Sequence, residues 1–411
     1  MGAISSSAAT EPAGADAGGA APARRRRWRR WLALAVGVLA LLAIVAVAVG
    51  SWRFSSVLLV PDHDQTFYDW KVTAVERANV TLERDEDSER PGLYGLDWRG
   101  GHALVGEVLR RDDDTVTRRL RDVRGRLRPG TEVELDPNVW DGDPRSALGI
   151  PFERVRVAGE AGPMPAWQVD GRGDTWAIFV HGINGSPRGG LRVLRALHRA
   201  EMPSLLITYR NDPGAPPAAD GLHHLGMTEW QDVEAAARHA LANGARRLVV
   251  IGNSMGGAIV TQFAQRSALR DRIAGLILDA PALSWKPILE LGASERGFPK
   301  ALATPVMWAV GMRIEVDWDR LDALRHADAL RLPILLFHGG EDSVVPTALS
   351  ERLARELPRD VELHLVPRAG HVESWNVDPR RYERRVRAFL ERIGAVAGGR
   401  GSMHPPRSAH R

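Results

Sequence analysis

Hydrophobic positions change period three times along the chain. From Trp31 to Gly50 no residue is charged, and almost all are Leu, Ala, Val or Ile. As a helix rising 1.5 Å per residue, this stretch spans about 30 Å, the thickness of a bilayer's hydrocarbon core. From residue 53 to 165 the period falls towards two. Short runs such as Val80-Thr81-Leu82, Leu93-Tyr94-Gly95-Leu96, His102 to Leu109 and Thr115 to Leu120 are separated by the turn formers Pro91-Gly92, Pro129-Gly130 and Gly142-Asp143-Pro144. That pattern predicts a small antiparallel β-rich accessory region, its last strands packed on the next domain. From 166 to 396 wholly apolar runs alternate with amphipathic stretches. Strands are expected at Thr175–Val180, Ser204–Tyr209, Arg247–Ile251, Ile273–Leu278, Pro333–Phe337 and Val361–Val366. Helices are expected near 188–199, 228–243, 255–267, 347–356 and 380–393. Apolar strands between helices imply a doubly wound, mostly parallel sheet covered on both faces, with strand C-termini along one edge. An α/β fold is therefore expected. Residues 1–30 read as a disordered basic tail and 397–411 as a second disordered tail.

Composition narrows the class. The chain has 411 residues, 44% of them hydrophobic and 26% charged, enough for one large core or two ordinary ones. There are no cysteines, which excludes a disulfide framework, a thiolate zinc site and a cysteine nucleophile. The net charge is +4, and residues 1–30 carry all of it through six arginines between Arg24 and Arg30. The remainder is neutral, so it offers no basic footprint for nucleic acid. Arginines before the apolar stretch and only Arg53 close behind it place the N-terminus in the cytoplasm. The rest then lies outside, held by a single-pass signal anchor at 31–50 in the cell membrane. Ala46-Val47-Ala48 also resembles a cleavage site and Arg29-Arg30 a twin-arginine signal, which leaves a secreted form as the alternative.

Three residues at expected strand ends carry the chemistry. Gly252-Asn253-Ser254-Met255-Gly256 follows an apolar strand and opens a helix, a context that puts a serine on a tight, exposed turn. Small neighbours are needed there because backbones come close. A serine hydroxyl needs a base, and His371 lies just after the last strand. Asp342, after the strand ending at Phe337, comes between them in chain order and would orient the imidazole. Asp279 and Glu341 are the rival acids. The loop His181-Gly182-Ile183-Asn184-Gly185 follows another strand. Ile183 N–H, with Asn184 as second choice, and Met255 N–H are the candidate donors to an oxyanion. His181 reads as a loop-shaping residue rather than a base. His223 and His224 lack a third ligand, and Asp136, Asn138, Asp141 and Asp143 read as turn chemistry, so no metal site is expected.

These motifs resemble the α/β-hydrolase fold superfamily, in particular its lysophospholipase-like and serine-aminopeptidase-like members. The resemblance rests on His181-Gly182, Gly252 to Gly257, His338-Gly339-Gly340-Glu341-Asp342-Ser343-Val344-Val345-Pro346 and Gly370-His371, and covers residues 166–396. With a membrane segment ahead, the arrangement resembles membrane-anchored exported hydrolases of high-GC bacteria. It implies a Ser254–His371–Asp342 triad, a cap insertion at about 281–325, an acyl-enzyme intermediate and no cofactor. The expected activity is hydrolysis of carboxylic esters (a lysophospholipid, an acylglycerol or another small-molecule or lipid acyl ester). A peptidase or amidase with the same triad is the alternative, and a non-catalytic binding protein on a hydrolase scaffold the third. Substrate-binding residues and the oligomeric state are not readable.

Overall fold

The computed structural model describes residues 21–63 and 68–396. The two expected disordered tails lie outside the described residues, except for 21–30, which are helical. Two compact units divide at Ser51.

In the first unit, residues 21–51 belong to one continuous helix, Ala21–Leu59. Its side chains from Trp28 to Gly50 are exposed, and it is long and apolar enough to cross a membrane. An apolar surface of that extent is stable only when lipid or another protein covers it.

The second unit begins with the last turns of that helix. It then forms six strands: β1 (Trp70–Glu76), β2 (Asn79–Glu83), β3 (Tyr94–Trp98), β4 (Gly101–Arg111), β5 (Thr115–Arg124) and β6 (Glu132–Asp136). They close into a barrel in the order β1-β2-β5-β4-β3-β6, with Trp70 of β1 paired to Val133 of β6. Alternate residues fill it, among them Val72, Val80, Leu82, Leu96, Val105, Val116 and Val133. Closure needs strands that bend, and the register between β4 and β5 shifts three times between His102 and Arg110. Arg118 is fully buried, and its guanidinium donates to the carbonyls of Gly106, Ser88 and Gly92. Burial lowers its pKa to about 10.

The remaining strands are β7 (Glu153–Gly159), β8 (Gly162–Val169), β9 (Thr175–Val180), β10 (Ser204–Ile207), β11 (Arg247–Asn253), β12 (Ile273–Asp279), β13 (Ile334–Gly339) and β14 (Val361–Val366). They form one sheet in the order β14-β13-β12-β11-β9-β10-β8-β7. Strands β9 to β14 run parallel, and β8 and β7 add an antiparallel edge. The boundary expected at 165/166 thus falls inside β8. The hairpin β7–β8 extends the parallel sheet, because the Ser204–Ile207 edge of β10 is free to pair with 166–169.

The sheet is apolar on both faces. Leu248 and Val250 of β11 face one core with helices Trp230–Ala242, Met255–Arg266 and Thr347–Glu356. Val249 and Ile251 face the other core with helices Leu191–Arg199 and Pro379–Arg392. Burying both faces explains why these strands lack alternation. Between β12 and β13 the chain inserts helices Trp285–Glu295 and Ala303–Gly311.

Candidate active site

Parallel strands deliver their C-terminal ends to one edge, and the chemistry collects there. Ser254 follows β11 at φ 52°, ψ −124°, a backbone conformation that a non-glycine residue holds at a cost of about 1–3 kcal/mol. The turn is possible because its neighbours have no Cβ. A Cβ on Gly256 would lie 2.2 Å from the Val180 carbonyl, and one on Gly252 would lie 2.5 Å from the Gly256 carbonyl. The serine N–H donates to the Asp279 carbonyl at 3.1 Å, tying the turn to β12.

His371 reaches the serine from the loop after β14. Its Nε2 lies 2.9 Å from Ser254 Oγ, and its Nδ1 lies 2.8 Å from Asp342 Oδ2. A carboxylate beside Nδ1 fixes the proton there and leaves Nε2 free to accept from the hydroxyl. Asp342 is itself held from several sides. Its Oδ1 accepts from the N–H groups of Val344 and Val345, each at 2.8 Å. Its Oδ2 also lies 3.2 Å from Nε2 of the buried His338. Burial alone would raise the Asp342 pKa. The hydrogen bonds from His338, His371 and Val345 outweigh it and hold the carboxyl well below its usual range. The residue is therefore a stable anion.

The rival acids stand elsewhere. Asp279 is buried, accepts from Ser374 Oγ at 2.8 Å, and has a pKa raised by burial. Glu341 is exposed.

The loop after β9 lies over the serine. A Cβ on Gly182 would come 3.0 Å from Ser254 Cβ. Ile183 is next in the chain and packs on the core. Met255 N–H belongs to the first turn of its helix, where N–H groups have no intrahelical acceptor. The Asn184 side chain is engaged: its Oδ1 accepts from Asp62 N–H at 3.0 Å and from His223 Nε2 at 3.1 Å. The buried His181 bonds Asp212 at 2.8 Å and stacks on Tyr209, whose hydroxyl donates to the Gly182 carbonyl at 2.9 Å. These contacts fix the loop's shape.

Among the described residues no group of three or more His, Cys, Asp or Glu could hold a metal ion. In the acidic stretch, Asp136 pairs with Arg188 and Asp143 caps the helix Pro144–Leu148.

Two residues beyond the expected three support the site. His338, through its contact with Asp342, is one. The other is Glu373, two residues after His371. Its Oε2 accepts from Gly370 N–H at 2.9 Å and from the Tyr94 hydroxyl at 3.1 Å, and its Oε1 accepts from Arg90 at 3.2 Å. Arg90 and Tyr94 belong to the barrel region, so the barrel grips the loop that carries His371. Leu93 N–H adds a bond to the Asn376 carbonyl at 3.0 Å. A Cβ at 370 would lie 2.5 Å from Arg90 Nη1, so a larger residue there would push that guanidinium aside.

This fold and this edge define the chain as a member of the α/β-hydrolase superfamily, the hydrolase class of enzyme. Residues 178–317 and 320–373 match the family described as serine aminopeptidase, S33, and residues 71–136 match a domain of unknown function (DUF8805). The chain is 24% identical over 195 residues to a pyrethroid hydrolase of Sphingobium wenxiniae, covering 38% of this chain and 69% of that one. It is 28% identical over 199 residues to an uncharacterised protein of Mycobacterium tuberculosis, covering 47% of this chain and 62% of that one. Among solved structures it is similar to an esterase of Pyrococcus furiosus, with a TM-score of 0.51 and 20% identity over 62% of this chain and 95% of that one. At that identity the likeness concerns the fold.

Proposed function

We propose that the protein is a membrane-anchored serine hydrolase that cleaves carboxylic esters outside the cytoplasm. The observation that carries this reading is the hydrogen-bonded chain from Ser254 through His371 to Asp342. Ser254 Oγ attacks the acyl carbonyl while its proton passes to His371 Nε2. Asp342 holds the imidazole and stabilises the imidazolium. The N–H groups of Ile183 and Met255 stabilise the tetrahedral oxyanion. Collapse returns the proton to the leaving alcohol and leaves an acyl-serine. Water, deprotonated by the same histidine, then releases the acid and restores Ser254.

The name of the Sphingobium relative supports an ester substrate. The name of the matching family supports a second reading, an aminopeptidase with the same triad. Turnover of the full chain in detergent against p-nitrophenyl esters of short and long acyl chains, beside aminoacyl-arylamides, separates the two. Ester turnover lost in Ser254→Ala is the expected result. Arylamide turnover without ester turnover would favour the peptidase.

The N-terminal helix supports the anchor, with six arginines on the cytoplasmic side. Release of a chain cleaved after Ala48 would replace the anchored form by a secreted one.

A further inference from the structure

The last turns of the N-terminal helix do not leave the folded body. They dock on the insertion between β12 and β13. Phe54 and Leu58 pack with Leu289, Ala303, Val306 and Met307. Arg313 donates to Ser55 and Ser56, both at 2.8 Å, and its guanidinium lies over the Trp52 ring. Arg296 lies over the Phe54 ring in the same way. Residue 52 follows the apolar stretch directly, so chain continuity alone keeps these contacts within a few turns of where that stretch ends.

The same insertion exposes large apolar side chains to solvent. Trp308 is 71% exposed, Met312 72% and Phe298 57%, with Lys300 exposed beside Phe298. Trp308 and Met312 are four residues apart, on one face of the Ala303–Gly311 helix and its C-cap. Exposed Trp, Phe and Met flanked by cations suit the region between lipid headgroups and acyl chains.

A second link joins the helix to the chemistry. The Leu59 carbonyl accepts from His223 N–H at 2.8 Å. His223 and Asp62 N–H both bond the Asn184 side chain, in the loop that carries Ile183. The chain therefore reaches the candidate oxyanion loop within about a dozen residues of the apolar stretch.

We infer that Phe298, Trp308 and Met312 insert into the leaflet from which the helix emerges, so that the site takes its ester from the bilayer. The substrate class is a membrane lipid ester. The inference rests on the anchored-esterase reading and adds to it which face meets the lipid and where the substrate enters.

The absence of native cysteines makes the test direct. In full-length protein reconstituted into phosphatidylcholine–phosphatidylglycerol vesicles, single cysteines replace Ile44, Val123, Trp308 and Met312 in turn. Each carries an environment-sensitive fluorophore. Labels at 308 and 312 should be quenched by shallowly brominated lipid and shielded several-fold from iodide, whereas the label at 123 on the barrel should show the reverse. Iodide access at 308 and 312 equal to that at 123, with 44 still quenched by lipid, would overturn the inference while leaving the anchor standing. Loss of lipid quenching at 44 as well would overturn the anchor and the inference together.

Activity gives the second readout. The double variant Trp308→Ser/Met312→Ser should turn over a vesicle-borne lysophospholipid or diacylglycerol about ten-fold more slowly. Its turnover of a soluble short-chain ester should stay unchanged. Equal loss on both substrates, or loss on neither, would refute lipid uptake through this face. Absence of soluble-ester turnover in the unaltered chain would instead defeat the esterase reading, and the quenching result would stand apart from it.

Discussion

Replacing Glu373 tests whether the barrel sets the position of His371. The Glu373 carboxylate is buried and accepts three hydrogen bonds, from Gly370 N–H, the Tyr94 hydroxyl and Arg90. Burial and the adjacent carboxylate push the Tyr94 phenol pKa up, so it stays a donor. In Glu373→Gln the shape is kept but the charge is lost, and the amide NH2 must face a donor that cannot accept from it. One charge-assisted bond weakens and one is broken with its buried partner left bare, a loss of about 3 kcal/mol in all. The folded barrel and sheet should survive that loss. The loop 370–373 should not hold its geometry, and a shift of about 1 Å at the imidazole costs on the order of 100-fold in rate. Expected, therefore, is a drop in kcat of about 10- to 100-fold with KM little changed, at a temperature where circular dichroism shows native protein. Tyr94→Phe removes one donor and should fall between the variant and the parent. A purely structural role would lower the urea midpoint and leave kcat alone. Folded Glu373→Gln protein with kcat within two-fold of the parent would refute the coupling.

Three further predictions concern the site and the core. Asp342→Asn should lose about four orders of magnitude in kcat and keep its fold, whereas Asp279→Asn should retain most of its rate; the reverse order in steady-state kinetics would exchange their roles. His223 is buried with its Nδ1 unpartnered, and burial lowers its pKa to about 4. Between about pH 6.5 and 4 the unfolded chain takes up a proton that the native chain refuses, so stability should fall by up to about 3 kcal/mol as pH drops through that window. Urea unfolding should show a smaller slope there in His223→Gln, and an identical slope would remove this residue as the cause. Arg118→Met leaves the carbonyls of Gly106, Ser88 and Gly92 without their donor and should cost about 3 kcal/mol, read by urea titration, with a loss under about 1 kcal/mol meaning that water replaces the guanidinium.

The sequence makes some of this legible and hides the rest for identifiable reasons. Ser254, Asp342 and His371 stand out because each belongs to a short local string at the end of an apolar strand, and a parallel sheet must bring such ends to one edge. Period-two runs announce the strands of residues 70–136, but closure of β1 on β6 depends on pairing across some sixty residues, which no local pattern encodes. The hairpin β7–β8 alternates like the barrel strands, so periodicity alone could not assign it to the other sheet. The role of Glu373 is not legible in the sequence because Arg90 and Tyr94 lie 283 and 279 residues away. His338 belongs to the Asp342 string, yet its contact with that carboxylate follows only from the turn of 339–345. The bonds from Asp62 and His223 to the Asn184 side chain join segments 122 and 39 residues apart, which no local string encodes.

The most direct test of the proposed chemistry is covalent capture of the nucleophile. Full-length protein in detergent is treated with a fluorophosphonate and digested, and the adduct is located by mass spectrometry. An adduct on Ser254 that disappears in His371→Ala is expected, because only a serine whose proton has somewhere to go attacks phosphorus readily. Folded protein that takes no adduct at Ser254, or takes it equally well without His371, would contradict an activated serine at the end of β11.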